Sequence, residues 1–431
     1  MQNAPLQSRP FFTPAEGLTA LCAGKRGFRL DKSLVTKARL LYGSTWVMRL
    51  IEPKTGGPGN LLQATVTPLA SIFGSGFLVV LPVLASAAGP YSVVAIAAVL
   101  VLAYGVGGVI RHNITVVEPA LAKNPPRAAV LLERLSAYAL ILAYVLSICL
   151  YLHILAAFAL KPFEVDTAFN KSLLVTVIIL GITVLGIGGG LKPLEALEKY
   201  ALCVTLLIVA LLLFAFARYD FLAVSSTSGL VMPEMPDRTP WEIVTIVAGA
   251  LIIVQGFETT RYTGASYDAP TRAKASRLSQ VIASIVYLSF VALGTPLLAG
   301  LNGRYDVNSL FGLSMAASVL LPIPLVVAAT MSQFSAAVAD TVASVGGIRE
   351  TSRGRIASAG ACIGVAAGTI VLAWSGNTFT VVAWASRAFA LYYLLQCLVA
   401  FTICPYARRK IWISLVAIGL VFVTLFAVPA G

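Results

Sequence analysis

The chain has few charged residues and few histidines. Asp, Glu, Lys and Arg make up 11% of its 431 residues, hydrophobic residues reach 58%, and His112 and His153 are the two histidines. Soluble globular domains carry about 25% charged residues, so this composition excludes an ordinary soluble protein. We expect a multi-pass protein that lies in a lipid bilayer.

The sequence motifs of enzyme and metal chemistry are missing as well. The six cysteines show neither metal-binding nor redox spacing, and the chain has no H-E-x-x-H, Walker loop or G-x-S-x-G motif. GIGGG at 186–190 lacks the third glycine of a dinucleotide fingerprint and follows an apolar span rather than a strand. The sequence therefore predicts neither an enzyme nor a bound cofactor.

Apolar stretches of about 20 residues, the length that crosses a bilayer as an α-helix, recur along the chain. They predict an all-α protein with eleven spans near 61–88, 90–111, 131–160, 172–189, 194–217, 241–265, 277–300, 322–347, 355–374, 378–403 and 411–430. Residues 307–320 are predicted to form a short apolar element outside the eighth span.

Basic residues divide unevenly between the two sides of this arrangement. Of the 31 Lys and Arg residues, 25 fall in the N-terminal tail and in loops of the same side, five fall on the other side, and Arg387 lies inside a span. Because cytoplasmic loops are rich in Lys and Arg, we predict a plasma (cytoplasmic or inner) membrane protein with its N-terminus in the cytoplasm and its C-terminus outside. Topology thus accounts for the net charge of +13, and no nucleic-acid partner is predicted.

The spans divide the chain into five parts. In order they are a basic cytoplasmic tail (1–60), a first group of five helices (61–217), an outer loop (218–240), a second group of five helices (241–403) and an eleventh helix (404–431). Met48 stands shortly before the first span. Our hypothesis is that Met48 is the native start and that residues 1–47 do not belong to the native protein.

Two of the spans contain helix-breaking residues. The first reads ASIFGSGFLVVLP over 70–82, and the sixth reads ALIIVQGFETTRYTGASYD over 250–268. Broken helices survive in a membrane only inside protein or beside a water-filled cavity, and matching breaks in two halves are typical of inverted-repeat transporters. Because the two broken spans are five apart, the second half enters the membrane from the opposite side, as an inverted repeat requires.

At these residues the chain resembles the amino acid, polyamine and organocation (APC) transporter superfamily, which has a leucine-transporter-like fold. The resemblance is carried by Gly74-Ser75-Gly76 in the first helix, by Gly256-Phe257-Glu258 in the sixth, and by YDAPTRAKASR at 267–277. It covers about residues 61–404. It implies a 5+5 inverted-repeat core with discontinuous helices 1 and 6.

The resemblance also implies a substrate site between the two breaks. Backbone N–H groups of the first break would bind a carboxylate, because the next half-helix points its positive end there, and carbonyls of the second break would face an ammonium group. The predicted site residues are Gly74, Ser75, Gly76, Ile253, Val254, Gln255, Gly256, Tyr144 and Ser147. The alternative is that the small residues serve close helix packing.

Ionisable residues inside spans are functional candidates by default. Glu258 would carry a coupling proton, since low-dielectric surroundings favour its protonated form, or else it would pair with Arg261 three residues on. Asp340 and Arg387 lie in the eighth and tenth spans. They would pair with each other, or Arg387 would meet an anionic substrate or extend to the membrane surface.

A sodium ion is the other candidate for coupling. By the resemblance, carbonyls of Ala70 and Phe73 and hydroxyls of Ser332 and Ser335 would ligate it; the alternative is that the serines bond back to their own helix. Thr205 occupies the place of a lysine that some proton-coupled relatives have in the fifth helix. Both Na⁺ and H⁺ stay open as coupling ions.

Together these features predict a secondary active transporter that moves an amino acid or a related carboxylate-bearing solute by alternating access. Two other functional classes remain. One is a facilitative or inorganic-ion pathway on the same fold, which would show flux without saturation. The other is a transport-inactive membrane sensor that signals through its cytoplasmic tail.

Overall fold

A computed structural model of the protein describes residues 60–74, 76–123, 125–188, 197–226, 229–264 and 266–430. The predicted cytoplasmic tail, and with it the hypothesis about Met48, lies almost entirely outside these ranges. Within them the regular elements are α-helices, short 3-10 helices and one π-helical turn at Asn113–Val117. The prediction of an all-helical protein is confirmed.

The α-helices follow one another with short connections. In chain order they are α1 (Asn60–Gly74), α2 (Val80–Ala88), α3 (Ser92–His112), α4 (Glu118–Leu121), α5 (Arg127–Leu160), α6 (Ala168–Gly188), α7 (Leu197–Val224), α8 (Pro240–Ala248), α9 (Ala269–Gly294), α10 (Ser309–Ala317), α11 (Pro322–Thr351), α12 (Ser358–Ser375), α13 (Thr378–Ile403) and α14 (Ala407–Phe426). The predicted short element at 307–320 contains α10.

Nine helical stretches in the described part of the chain are long and apolar enough to cross a membrane. Two features account for the difference from the eleven predicted spans: the 3-10 turn Gly89–Tyr91 that joins the first two spans, and the break in the sixth. One stretch, Leu61–Leu121, runs through the first two predicted spans, whereas the sixth predicted span is divided among α8 and the 3-10 helices Leu251–Val254 and Phe257–Thr263. The exact span count and the inverted repeat stay predictions.

The first break lies between α1 and α2. Helix α1 ends at Gly74, Gly76 has φ 145°, and a 3-10 turn at Phe77–Val79 leads into α2. This φ value is in a region that side chains other than glycine's rarely adopt. The glycine therefore fixes the position of the break. Ser75 lies outside the described residues.

The second break lies in the sixth predicted span. Helix α8 begins at a capping box in which Thr239 and Glu242 bond reciprocally. After the turn Leu251–Val254, Gln255 is extended and Gly256 has φ 125°. Both breaks thus rest on a glycine whose backbone another residue would strain.

Helix α5 lies in the core of the bundle and packs against α11 and α13, while α9 packs against α1. The largest buried side chains include Tyr151 of α5, Tyr287 of α9 and Tyr393 of α13. Each of these tyrosines has a polar end that needs a hydrogen-bond partner when it is buried. All three find partners at or beside the second break, as described next.

Candidate functional site

The two breaks contact each other directly. A Cβ atom on Gly76 would lie 3.2 Å from the Ile253 side chain, and one on Gly256 would lie 2.6 Å from the backbone nitrogen of Ile72 and 2.7 Å from the carbonyl carbon of Ser71. Each glycine therefore meets the helix that precedes the other break. This reciprocal contact brings Gly74, Gly76, Ile253 and Gly256, all predicted site residues, into one region.

Tyr287 links the two broken segments. Its hydroxyl oxygen lies 2.7 Å from the carbonyl oxygen of Ile253 and 3.1 Å from that of Ile72. The tyrosine ring is fully buried and stacks on Phe73 at 6.0 Å. The Ile253 carbonyl, which we expected to face an ammonium group, thus contacts the hydroxyl of Tyr287, which was not among the predicted site residues.

Glu258 stabilises the second break from within. Its Oε2 accepts hydrogen bonds from the Gly256 N–H at 2.9 Å and from the Tyr393 hydroxyl at 2.7 Å. The carboxyl group is fully buried, and the Tyr393 ring stacks on Phe257 at 5.5 Å. The glutamate therefore bridges the broken segment and α13.

Two glutamines, Gln255 and Gln333, also reach the breaks. Gln333 of α11 donates from Nε2 to the Gly74 carbonyl at 3.2 Å, which ties the first break to α11. Gln255 donates to the Tyr151 hydroxyl at 3.2 Å, which ties the second break to α5. Gln255 was among the predicted site residues, whereas Gln333 and Tyr151 were not.

Three acceptor oxygens around the breaks are buried without a hydrogen-bond partner among the described residues. They are Gln255 Oε1, Glu258 Oε1 and Gln333 Oε1. Because Gln333 Nε2 must donate to a carbonyl, its Oε1 atom is fixed as an acceptor. A buried polar atom that stays unpaired costs about 1–3 kcal/mol, so these oxygens are suited to a donor or cation carried by a bound solute.

Asp340 meets α5 rather than Arg387. The Ser147 hydroxyl lies in hydrogen-bond contact with Asp340 Oδ2 and 3.0 Å from the Tyr144 carbonyl. Arg387 instead donates from Nε to the Ala427 carbonyl at 2.7 Å. The expected Asp340–Arg387 pair is wrong, because Arg387 points toward the end of α14.

Two of the predicted sodium ligands, Phe73 and Ser332, line a small cavity. The cavity has a volume of about 10 Å³ and is lined by Phe73, Thr205 and Ser332 among others, a size suited to a single water molecule. The Thr205 hydroxyl is buried without a partner in the described ranges. Ala70 and Ser335 do not line this cavity, although Ser335 is buried.

Charged side chains close around Arg261 at one end of the bundle. Its guanidinium lies 3.1 Å from Glu133 Oε1 and 3.5 Å from Glu118 Oε1, and it donates to Gln396 Oε1. Arg272 lies 2.7 Å from Glu118 Oε2 and donates to the Arg261 carbonyl at 3.0 Å. We call these five residues, from Glu118 to Gln396, the ionic cluster.

The ionic cluster joins α4, α5, α9 and α13 to the segment that follows the second break. Arg261 and Arg272 are buried, and buried charges are strongly destabilising unless they are paired. Two carboxylates and two guanidiniums satisfy this requirement. The expected alternative of a Glu258–Arg261 pair is therefore wrong, since the two side chains bond to different partners.

Comparison with known proteins identifies the family. The sequence model described as an APC superfamily transporter matches residues 58–429. The chain belongs to the APC superfamily. An uncharacterised protein of Aquifex aeolicus (strain VF5) is 36% identical to this APC transporter over 407 residues, which cover 92% of this chain and 97% of that protein.

Solved structures show the same fold as this APC transporter. A mutant of the Eremococcus coleocola manganese transporter matches with a TM-score of 0.54 and 12% identity, over 87% of this chain and 88% of that one. Mhp1, a nucleobase-cation-symport-1 family transporter with bromovinylhydantoin bound, matches with a TM-score of 0.50 and 13% identity, over 85% and 91% of the two chains. The leucine-transporter-like fold is confirmed, and the family and the fold are those of transporters, not of enzymes.

Proposed function

We propose that this APC transporter moves an amino acid or a related carboxylate-bearing solute across the membrane by alternating access, as a secondary active transporter. The observation that carries the proposal is the reciprocal contact of the two breaks. Each break contains a glycine with positive φ. Broken helices that meet inside a transporter of this kind form a central binding site.

An amino acid has two charged groups, and each finds suitable chemistry here. The first break ends α1 and starts a new helix, so its N–H groups lack intrahelical partners and suit a carboxylate. The acceptor oxygens of Gln255 and Gln333 suit the ammonium group. Ser75, which the resemblance places with Gly76 at the carboxylate, lies outside the described residues.

The ionic cluster supports alternating access. It ties the segment after the second break to α5, α9 and α13, so its ion pairs must separate before the site can open at that end. By the distribution of basic residues, this is the cytoplasmic end of a protein in the plasma membrane. A closed end beside a central site is what alternating access requires of one of its states.

Coupling to Na⁺ or H⁺ is part of the proposal. The small cavity beside Phe73 and Ser332 offers hydroxyl oxygens, including the unpartnered one of Thr205, and oxygen is the ligand that hard cations prefer. Glu258 offers the unpartnered Oε1 atom for a proton. Coupling to H⁺ makes transport depend on pH, whereas coupling to Na⁺ makes it depend on the sodium concentration. Measuring both dependences therefore distinguishes the two ions.

A ligand-stabilisation screen tests the proposal. Purified protein is heated with amino acids, amines and organic acids, with and without sodium and across pH. We expect a rise in melting temperature with at least one amino acid, and a loss of about tenfold in its apparent affinity in Gln333→Met, which removes the acceptor oxygen together with the Nε2 donor to the Gly74 carbonyl. If no carboxylate-bearing compound stabilises the wild type, the substrate proposal is wrong.

Uptake into proteoliposomes separates the other functional classes. Secondary transport saturates with substrate and allows counter-transport, whereas a facilitative or inorganic-ion pathway gives flux without saturation. A transport-inactive sensor would show ligand stabilisation without any uptake. The proposal therefore requires both a stabilising ligand and saturable uptake of that same ligand.

A further inference from the structure

The residues that follow α14 contact both α8 and α13. The Val428 N–H donates to the Thr245 carbonyl of α8 at 3.1 Å, and the Ala430 carbonyl lies 3.4 Å from the guanidinium of Arg238. Ala427 and Ala430 are buried. We call residues 427–430 the C-terminal strap.

Arg387 fastens this strap to α13. Its Nε atom donates to the Ala427 carbonyl at 2.7 Å. Because the donor is a charged guanidinium, this hydrogen bond is stronger than one between neutral groups. Arg387 is the basic residue that the sequence places alone inside a span, and the strap explains why α13 carries it.

The strap contacts the turn that follows α8 in the sixth predicted span. A Cβ atom on Gly249, which follows α8, would lie 2.6 Å from the Val428 carbonyl oxygen. Ser386 contacts the same place, because its hydroxyl donates to the Gly249 carbonyl at 2.6 Å and accepts from the Ile252 N–H at 2.9 Å. The turn between α8 and the second break is thus held by two neighbouring residues of α13, one directly and one through the strap.

The body of α14 adds to this attachment. Trp241 in the first turn of α8 makes edge-to-face contacts with Phe426 at 5.4 Å and Phe422 at 5.7 Å. Arg238, just before α8, donates to the Ser86 carbonyl of α2 at 2.7 Å. The α8 helix is therefore joined to α14 at its first turn, to the strap at Thr245, and to α2 through Arg238 just before its start.

The strap and the ionic cluster lie at different depths of the bundle. Gln396 of the cluster and Arg387 are nine residues apart on α13, which corresponds to about 13 Å along the helix axis. The sixth predicted span begins at α8, beside the strap. It ends near Arg261, in the ionic cluster. The strap thus holds one end of the sixth predicted span, and the ionic cluster holds the other.

We propose that the C-terminal strap holds α8 against α13 and so keeps the site closed on the face opposite the ionic cluster, with Arg387 as the positioning residue that fastens it. Access from that face requires the strap to lift from Gly249 and Thr245. The inference rests on the proposed alternating access. It assigns a role to α14 and to Arg387, whose functions the sequence alone leaves open.

Hydrogen exchange of the purified full chain tests the strap. In Arg387→Met, which keeps the apolar stem and loses the donor, we expect the amides of residues 243–254 to exchange about tenfold faster, as for one lost hydrogen bond from a charged group. Arg387→Lys keeps a donor and should restore slow exchange. Arg304→Met, at an exposed loop position, is the matched control and should leave these amides unchanged.

A second variant changes the contact between Gly249 and the strap and leaves Arg387 in place. Gly249 has φ −65°, so alanine fits its backbone and the new methyl group meets the Val428 carbonyl. We expect the same faster exchange in Gly249→Ala. Wild-type exchange of residues 243–254 in both Arg387→Met and Gly249→Ala would overturn the strap, as would an equal increase in α9 and α11, which would indicate general destabilisation.

The two proposals fail in different ways. Exchange reports on the strap without any substrate, whereas ligand stabilisation and uptake by the wild type report on the proposed function. If the strap is correct, faster exchange in Arg387→Met is accompanied by a change in uptake rate at unchanged protein amount. Unchanged exchange together with normal wild-type uptake would reject the strap and leave the transport proposal standing.

Discussion

Gly256 lies so close to Ile72 that a Cβ atom at this position would stand 2.6 Å from the Ile72 backbone nitrogen. Gly256 belongs to the second break and Ile72 to α1, the helix that precedes the first break, so the absence of a side chain at Gly256 sets the distance between the two segments. The φ of 125° at Gly256 adds a second requirement for glycine. Backbone strain and backbone contact thus coincide at one residue.

Substitution of this glycine should separate the breaks. We expect Gly256→Ala to cost about 3 kcal/mol, from the strained φ value and the contact with Ile72 together, and to abolish ligand stabilisation. Thermal unfolding in the presence and absence of ligand measures both effects. Gly181→Ala is the control, because Gly181 is helical with nothing within 4 Å of its Cβ position, and it should stabilise slightly. A ligand response in Gly256→Ala equal to that of the wild type would contradict the assigned site.

Tyr287 should couple the movement of the two broken segments, since its hydroxyl contacts a carbonyl of each. Tyr287→Phe removes the hydroxyl and keeps the ring that stacks on Phe73. We expect the maximal uptake rate to fall about tenfold, the effect of roughly one hydrogen bond, and the melting temperature to fall by a few degrees, because the buried carbonyls lose their donor. Tyr138→Phe, at an exposed position of α5, should behave as wild type. Normal uptake by Tyr287→Phe would show that the hydroxyl is dispensable.

Glu258→Gln tests proton coupling. The amide oxygen of glutamine still accepts from the Gly256 N–H and the Tyr393 hydroxyl, so the break should stay folded. If the coupling proton binds Glu258, uptake by the variant becomes nearly independent of pH, measured from pH 5 to 8 in proteoliposomes. Glu164→Gln, at an exposed turn, is the control. An unchanged pH profile in Glu258→Gln would remove Glu258 as the proton carrier and favour sodium.

The ionic cluster should tolerate loss of a pair better than loss of one partner. Glu118→Gln leaves Arg272 without its 2.7 Å carboxylate contact, and such a change at a buried pair costs about 3–5 kcal/mol. We expect the double variant Glu118→Gln, Arg272→Gln to recover part of this loss in thermal unfolding. Lys161→Gln is the control, because Lys161 pairs with Asp166 at 3.7 Å near the surface, where a pair is worth about 0–1 kcal/mol. Equal stability of Glu118→Gln and wild type would show that the pair is not structural.

Local sequence patterns located the breaks but not the partners of their charged residues. Glycines, prolines and polar residues inside apolar stretches mark positions where a helix cannot continue, and this signal is local. The partners of Arg261 are separated from it by 143 and 128 residues in sequence. The rule of neighbours three residues apart therefore suggested Glu258, whose carboxyl group bonds to the break itself.

Neutral polar residues were the main omission from the predicted site. Gln333, Tyr287 and Tyr393 lie inside apolar helices and bond to the breaks, yet the neutral polar residues that we predicted for the site outside the breaks were Tyr144, Ser147, Ser332 and Ser335. A buried glutamine in a membrane helix also needs partners, so this signal was present in the sequence. Which face of α11 or α9 turns toward the breaks depends on helix packing, which the sequence pattern does not determine.

The composition of the ionic cluster has an electrical consequence. Two carboxylates and two guanidiniums make it neutral as a whole, although each of its ions is buried or partly buried. A membrane potential of 100 mV does work of about 2.3 kcal/mol on each elementary charge that crosses it. While its ions stay paired, the cluster as a whole feels almost no net force from this potential. Opening this end separates the ions, so the work done by the potential then depends on how far the Arg261 guanidinium moves across the field relative to the carboxylates of Glu118 and Glu133.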